Sequence, residues 1–175
     1  GNGVLGIAMG TSEGGGYVDM DGNITTWLSE LAFAPVDLHP EAPADEWSGD
    51  LGVGAQYFSQ QAVARLLPAS GIEYDASLSM PEQLKIVQKL MEEGDERALR
   101  IYDAIGIYLG YTLAHYAEFY EFEYVLLLGR VTTGPGGEHI IARSKEVMAA
   151  EFPELAARIK FHFPDETEKR HGQAI

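Results

Sequence analysis

The apolar positions change period several times along the chain, and each change marks an element. Val4 to Met9 is a short, nearly unbroken apolar run bounded by glycine, which predicts a buried strand. Tyr17 to Met20 predicts a second strand. Asp21-Gly22-Asn23 follows with residues that tolerate positive φ, the signal of a hairpin turn. Ile24 to Leu28 predicts a third strand, so the front of the chain reads as an antiparallel meander. Ala34 to Asp50 carries Pro35, Pro40, Pro43 and many acids, and is expected to be irregular.

Helical periods dominate the middle. Gly54 to Leu67 places Tyr57, Phe58, Ala62 and Leu66 near one face, and Pro68 and Gly71 end it. Ser79-Met80-Pro81-Glu82 is a capping box, opening a helix that runs to about Glu93 and stops at Gly94. Asp95 then caps a long helix, Glu96 to about Tyr120. Its apolar positions, among them Ala98, Ile101, Tyr102, Ile105, Leu109, Leu113 and Tyr116, recur at steps of three and four. Gly106 and Gly110 interrupt that helix and predict close packing against a sheet. Tyr124 to Leu128 is a continuous apolar strand ending at Gly129. A helix is expected from Glu138 to Glu151, a last strand from Arg158 to Phe163, and the start of one more helix capped by Asp165. Strands, then helices, then strand–helix–strand predict α/β layers.

Composition narrows the function classes. The net charge of −15 repels phosphate backbones, so direct binding to nucleic acid is not expected. No run approaches 18 uninterrupted apolar residues, so no membrane partner is expected. With no cysteine there are no disulfides or thiolate metal sites, which fits a reducing compartment, and the expected location is the cytoplasm.

Three stretches could carry chemistry. The first is Gly10-Thr11-Ser12-Glu13-Gly14-Gly15-Gly16, between two strands. Glycines there let backbone N–H groups converge on anionic oxygens without a cationic side chain, and Thr11 and Ser12 add hydroxyls. The stretch reads either as a phosphate cradle (Gly10, Thr11, Ser12, Gly14, Gly15) or as a plain hairpin; it lacks the lysine of a P-loop. The second is the strand end Leu128-Gly129-Arg130-Val131, placed where ligands bind in α/β sheets, or else a plain strand–helix connection. The third is Glu30, either an acceptor for sugar hydroxyls or a solvated acid. The five histidines show no metal-ligand spacing, and no catalytic residue is identified in the chain.

In order along the chain, these stretches resemble the carboxyl-terminal half of the ROK family of sugar kinases and sugar-responsive repressors, which has the actin-like ATPase (ribonuclease H-like) fold. The family motif GTGIGGGIVxxG is matched by Gly10 to Val18 with Gly22. GE-(I/L)-GH-x-P-V-D is matched by Ser29-Glu30-Leu31-Ala32-Phe33-Ala34-Pro35-Val36-Asp37. The adenosine turn is matched by Leu128-Gly129-Arg130-Val131, and the start of a closing helix by Gly172 to Ile175. The resemblance implies an α/β lobe with a mixed sheet, ATP with Mg²⁺ and a sugar as ligands, phosphates at Thr11, adenosine at Gly129 and sugar at Glu30. It also implies an amino-terminal lobe as partner, because the D-x-G-x-T phosphate motif and the catalytic aspartate of the family are not in this chain. By that reading residues 1–175 are one lobe with a shortened closing helix, not competent alone, and a homodimer remains open. Either a sugar kinase or a sugar-sensing repressor fits as parent.

The chain also departs from the family. Phe33 stands where the family's zinc-binding histidine would be, and no cysteine is present, so zinc is not expected. Ala55 stands at the position of a second sugar-binding glutamate, with Gln56 beside it. Arg130 replaces a glycine of the adenosine turn.

Overall fold

The computed structural model describes residues 2–25 and 29–164. Strands β1 (Val4–Met9) and β2 (Glu13–Val18) form an antiparallel hairpin running from Val4 opposite Val18 to Met9 opposite Glu13. β3 (Tyr124–Leu128) lies parallel to β1, and β4 (Lys160–His162) parallel to β3, giving a mixed sheet in the order β2-β1-β3-β4. The long connection from β2 to β3 carries three helices: α1 (Gln60–Leu66), α2 (Met80–Glu92) and α3 (Glu96–Tyr116). α4 (Pro135–Glu151) and α5 (Pro153–Arg158) connect β3 to β4.

Alternate residues of β1 and β3 (Leu5, Ile7, Met9, Val125, Leu127) are fully buried and join one core with Ile105, Leu109, Leu113 and Tyr116 of α3 and Ile140 and Met148 of α4. The other face of these strands, Val4, Gly6, Ala8, Leu126 and Leu128, is only half-buried. This period of two explains why the strands read as apolar runs while one face keeps some access to solvent.

The capping box is present: Glu82 accepts from the Ser79 amide at 2.9 Å, and the Ser79 side chain accepts from the third residue of α2. Asp95 caps α3 through the Arg97 amide at 2.8 Å. The Asp21–Asn23 turn forms as expected, with Gly22 at φ +89° and the Asp19 carboxylate accepting from the amides of Asp21 and Asn23.

Several boundaries differ from the sequence expectation, each for a physical reason. β2 begins at Glu13 rather than Tyr17: the glycine triplet is ladder, not loop, and pairs with Gly6, Ile7 and Ala8. Of the third strand, Ile24 pairs opposite Val18 and the Thr25 amide donates to the Tyr17 carbonyl; residues 26–28, like the Asp165 helix and the Gly172–Ile175 segment, lie outside the described residues. α3 ends at Tyr116, where the chain turns back so that Tyr120 stacks edge-on against Tyr17 and β3 can enter beside β1. Gly106 and Gly110 contact a helix, not the sheet. A Cβ on Gly106 would lie 2.7 Å from Cβ of Arg143, and one on Gly110 2.7 Å from Cβ of Val147, so both glycines let α4 approach α3. α4 starts at Pro135, whose missing N–H is harmless in a first turn. The short α5 was not legible as a helix, and it shortens the last strand to Lys160–His162.

Candidate functional site

The parallel pairing of β1 with β3 brings two separate glycine turns to one end of the sheet. The hairpin tip, residues 10–12, leaves the carboxyl end of β1; the turn at Gly129 leaves the carboxyl end of β3. Gly129 sits at φ +93°, and a Cβ there would lie 2.4 Å from the Met9 carbonyl oxygen and 2.8 Å from the Met9 amide nitrogen. Only glycine satisfies both demands, so the Gly129 turn packs directly on the backbone of Met9, the last residue of β1 before the hairpin tip.

The tip is a three-residue bend. Its Gly10 amide donates to the Ser12 carbonyl at 3.1 Å, and its Gly10 carbonyl accepts from the Gln60 amide at the start of α1 at 2.8 Å. Among the described residues the amides of Thr11 and Ser12 have no protein acceptor, and both residues are exposed. Ser59 fixes α1 behind the tip: its hydroxyl donates to the Ala55 carbonyl and accepts from the Gln61 amide. Beyond Gly129, a single 3₁₀ turn (Arg130–Thr132) leads to α4. Gln88 of α2 donates to the Arg130 carbonyl at 2.7 Å, and the Thr132 hydroxyl donates to the Gly129 carbonyl at 2.9 Å. The positive end of the α4 dipole therefore lies beside this turn.

The structure redistributes the residues read as a site. Gly10, Thr11 and Ser12 form the tip, with Gly129 and exposed Arg130 across from it. Gly14 and Gly15 lie in the strand behind. Gly15 is small because residues 29–31 cross it: a Cβ there would lie 2.4 Å from the Ser29 carbonyl oxygen. That crossing brings exposed Glu30 to the edge of β2, on the hairpin side of the molecule. Val131 is fully buried and its side chain belongs to the core. Ala55 is 1% exposed, and the Gln56 side-chain amide beside it donates to Gln61, so neither side chain is presented to solvent.

Glu13 went unremarked as a functional group in the sequence, because the strand was taken to begin after it. It is 6% exposed, faces inward like Tyr17 four residues on, and accepts from the Tyr116 hydroxyl at 3.3 Å. Burial pushes its pKa from 4.5 up to about 8, with the Tyr116 hydrogen bond opposing. The period of two through Glu13, Gly15 and Tyr17 was the available signal.

The segment from Pro35 to Val53 is tied back on itself by backbone and side-chain hydrogen bonds. The amides of Val36 and Asp37 both donate to the Gly52 carbonyl, and Gly52 donates to Pro43. Asp45, buried, accepts from the amides of Ser48 and Trp47, and these bonds, the Ser48 amide first, lower its pKa. Phe33 packs on Trp47 with ring centroids 5.4 Å apart. Asp37 is held by the Tyr57 hydroxyl, which lowers its pKa, and Arg65 stacks over the Tyr57 ring. Among the described residues no group of three or more His, Asp or Glu side chains is placed to hold a metal ion. Treatment with a strong chelator is expected to leave the melting temperature unchanged. A drop of several degrees would show that a metal, not the aromatic pair and the Asp45 turn, holds this segment.

An open concavity of about 770 Å³ lies elsewhere, between the end of α3 and the α4–α5 junction, lined by Tyr111, His115, Phe152 and Arg158 among others. None of the candidate site residues lines it. The two-turn site is instead an open surface at the end of the sheet.

The sheet order, the hairpin and the helix layer define an α/β fold built on a mixed four-stranded sheet. Comparison with solved structures places it more closely. A ROK hexokinase from Thermus thermophilus superposes with a TM-score of 0.67 at 19% identity, over 96% of this chain and 54% of the hexokinase. A ROK family glucokinase from Streptomyces griseus, in complex with glucose and AMPPNP, gives 0.70 at 19%, over 93% of this chain and 55% of the other. A ROK family transcriptional regulator, a homologue of the E. coli MLC protein, gives 0.73 at 17%, over 97% and 44%. The fold read from the sequence is thus the fold found, and the chain spans about half the length of the structures it matches. No protein-family model and no curated protein matches the sequence.

Proposed function

We propose that this chain is the nucleotide- and sugar-binding lobe of an ATP-dependent sugar kinase. In this reading the hairpin amides of Thr11 and Ser12 bind phosphate oxygens, with the Thr11 hydroxyl as a further donor. The turn at Gly129 and Arg130 borders the adenosine, and Glu30 accepts hydrogen bonds from sugar hydroxyls. The observation that carries it is that the two glycine turns leave adjacent strands at one end of the sheet, the Gly129 turn packed on Met9 just before the tip, with two exposed tip amides left unspent among the described residues. Peptide N–H groups without acceptors, beside a helix amino terminus, suit an anion. ATP would come with Mg²⁺, which neutralises charge building on the transferred phosphoryl group. None of these residues is assigned as the catalytic base; following the family resemblance, catalysis is assigned to a second lobe, and the cleft between lobes would hold both ligands. The half-buried outer face of β1 and β3 supports further packing against this sheet.

A second reading, the sugar-sensing lobe of a repressor, is favoured by the likeness to the transcriptional regulator and by the buried Ala55 where the family's second sugar glutamate would stand. A D-x-G-x-T strand ahead of Gly1 would support the kinase, and a winged helix-turn-helix the repressor.

The test is titration calorimetry with ATP–Mg²⁺ on this lobe joined to its amino-terminal half. Thr11→Val is expected to weaken binding about ten-fold, the scale of a lost charge-assisted hydrogen bond. Unchanged affinity would remove Thr11 from the site.

A further inference from the structure

Glu13 follows the hairpin tip directly, yet its side chain points into the interior. One carboxyl oxygen accepts from Tyr116. The other, Oε2, is buried with no hydrogen-bond partner among the described residues. A Cβ built on Gly54 would sit 2.0 Å from Oε2 and 2.3 Å from the Leu31 carbonyl oxygen, so these two oxygens border the same gap, kept open by a glycine. Among the described residues no cation is paired with Glu13. α3 turns only the Tyr116 hydroxyl toward Glu13, residues 54–56 contain no titratable side chain, and Glu30, the titratable residue of 29–33, is exposed. Opposite on β1 stands Met9. An ionised carboxylate facing a carbonyl oxygen in a dry interior is strongly unfavourable; a carboxylic acid in the same place has a proton to give.

We propose that Glu13 is a neutral positioning residue, whose carboxylic acid accepts from the Tyr116 hydroxyl and donates its own proton to the Leu31 carbonyl. It thereby ties the hairpin tip to the 29–33 segment that carries Glu30, so that the phosphate side and the sugar side of the site form one rigid unit. This role rests on the reading of those segments given above; the protonation and the tie do not. Holding Glu13 uncharged also keeps a negative charge away from a tip meant for phosphate. Its raised pKa agrees with the geometry. When the proton leaves to solvent at high pH, the carboxylate repels the Leu31 carbonyl and the segment loosens.

Infrared difference spectroscopy of the whole chain between pH 6.5 and 9.5 tests the protonation. The wild type is expected to show the carbonyl stretch of a protonated acid at pH 6.5, bleached at pH 9.5, and Glu13→Gln is expected to lack it. Absence of that band from the wild type at pH 6.5 overturns the proposal, whatever the variant does. Hydrogen exchange tests the tie. Corrected for intrinsic rates, the amides of Phe33 and Ala34, which donate to Glu30 and Leu31 carbonyls, are expected to lose protection roughly ten-fold at pH 9.5, the scale of one hydrogen bond. Glu13→Gln, whose amide donates at every pH, is expected to show no such loss. An equal loss in both proteins overturns the tie. Both readouts are free of ligand, so their failure and a failure of ATP binding are told apart.

Discussion

From pH 5 to pH 8 the chain is expected to lose stability at up to about 1.4 kcal/mol per pH unit through Glu13 alone, and Glu13→Leu is expected to remove that slope. The sign follows from the direction of the shift. Glu13 holds its proton in the folded chain up to about pH 8, whereas the unfolded chain releases it near 4.5. Between those values the folded state binds more protons, so raising the pH favours unfolding. The stabilisation is complete below about pH 4.5 and exhausted above about pH 8. Asp37 and Asp45 act in the opposite sense: hydrogen bonds lower their folded pKa values, so they lose stability as pH falls below the ordinary carboxylate range. Stability is therefore expected to peak near pH 5, unusually low, and to decline across the physiological range. Denaturant unfolding at pH 5, 6.5 and 8 measures this directly. A wild-type curve flat over that interval, or a slope that survives Glu13→Leu, would mean that Glu13 is ionised or solvated in the folded chain.

Gly129→Ala is expected to cost about 3 kcal/mol or more, the largest effect of any single methyl group at the site. Two penalties combine. The φ of +93° is a conformation an L side chain rarely adopts. The added carbon would also press on the carbonyl carbon, oxygen and nitrogen of Met9, backbone atoms in a central strand that cannot swing aside. Relief by moving the Gly129 turn away from the end of β1 would lower nucleotide affinity as well as stability. Gly134→Ala is the control: its φ is +72°, but nothing lies within 4 Å of the added carbon, so only the conformational penalty applies. Equal losses in the two variants would show that the contact with Met9 is not what requires glycine at position 129.

Much of this was legible from the chain, and the exceptions have a common cause. Elements with a strong period and explicit ends, such as α2 behind Ser79 and Glu82 or β3 ending at Gly129, appeared close to where they were expected. Gly14 to Gly16 did not, because glycine carries no period. Their strand character comes from pairing with Gly6, Ile7 and Ala8, a tertiary fact that local pattern cannot express. That boundary hid Glu13, since an acid at the first inward position of a strand looks like an acid in a loop. Gly106 and Gly110 announced close packing, but the sheet expected as the partner was wrong. The partner, α4, lies some thirty residues further on, and only the fold brings Arg143 and Val147 to them. The turns at Gly10 and Gly129 were each readable as candidates; their placement at one end of the sheet required the parallel register of β1 and β3. The family resemblance supplied that juxtaposition as an expectation, and the coordinates supply it as geometry.

The central claim is that the amides at the hairpin tip, facing the Gly129 turn, receive the phosphates of a nucleotide. Titrating ATP–Mg²⁺ into ¹⁵N-labelled protein and following amide resonances tests it residue by residue. The account predicts saturable shifts centred on Thr11, Ser12 and residues 129–133, reduced by Thr11→Val. Shifts centred instead on the concavity around Tyr111 and Phe152, or none at millimolar nucleotide, would contradict it.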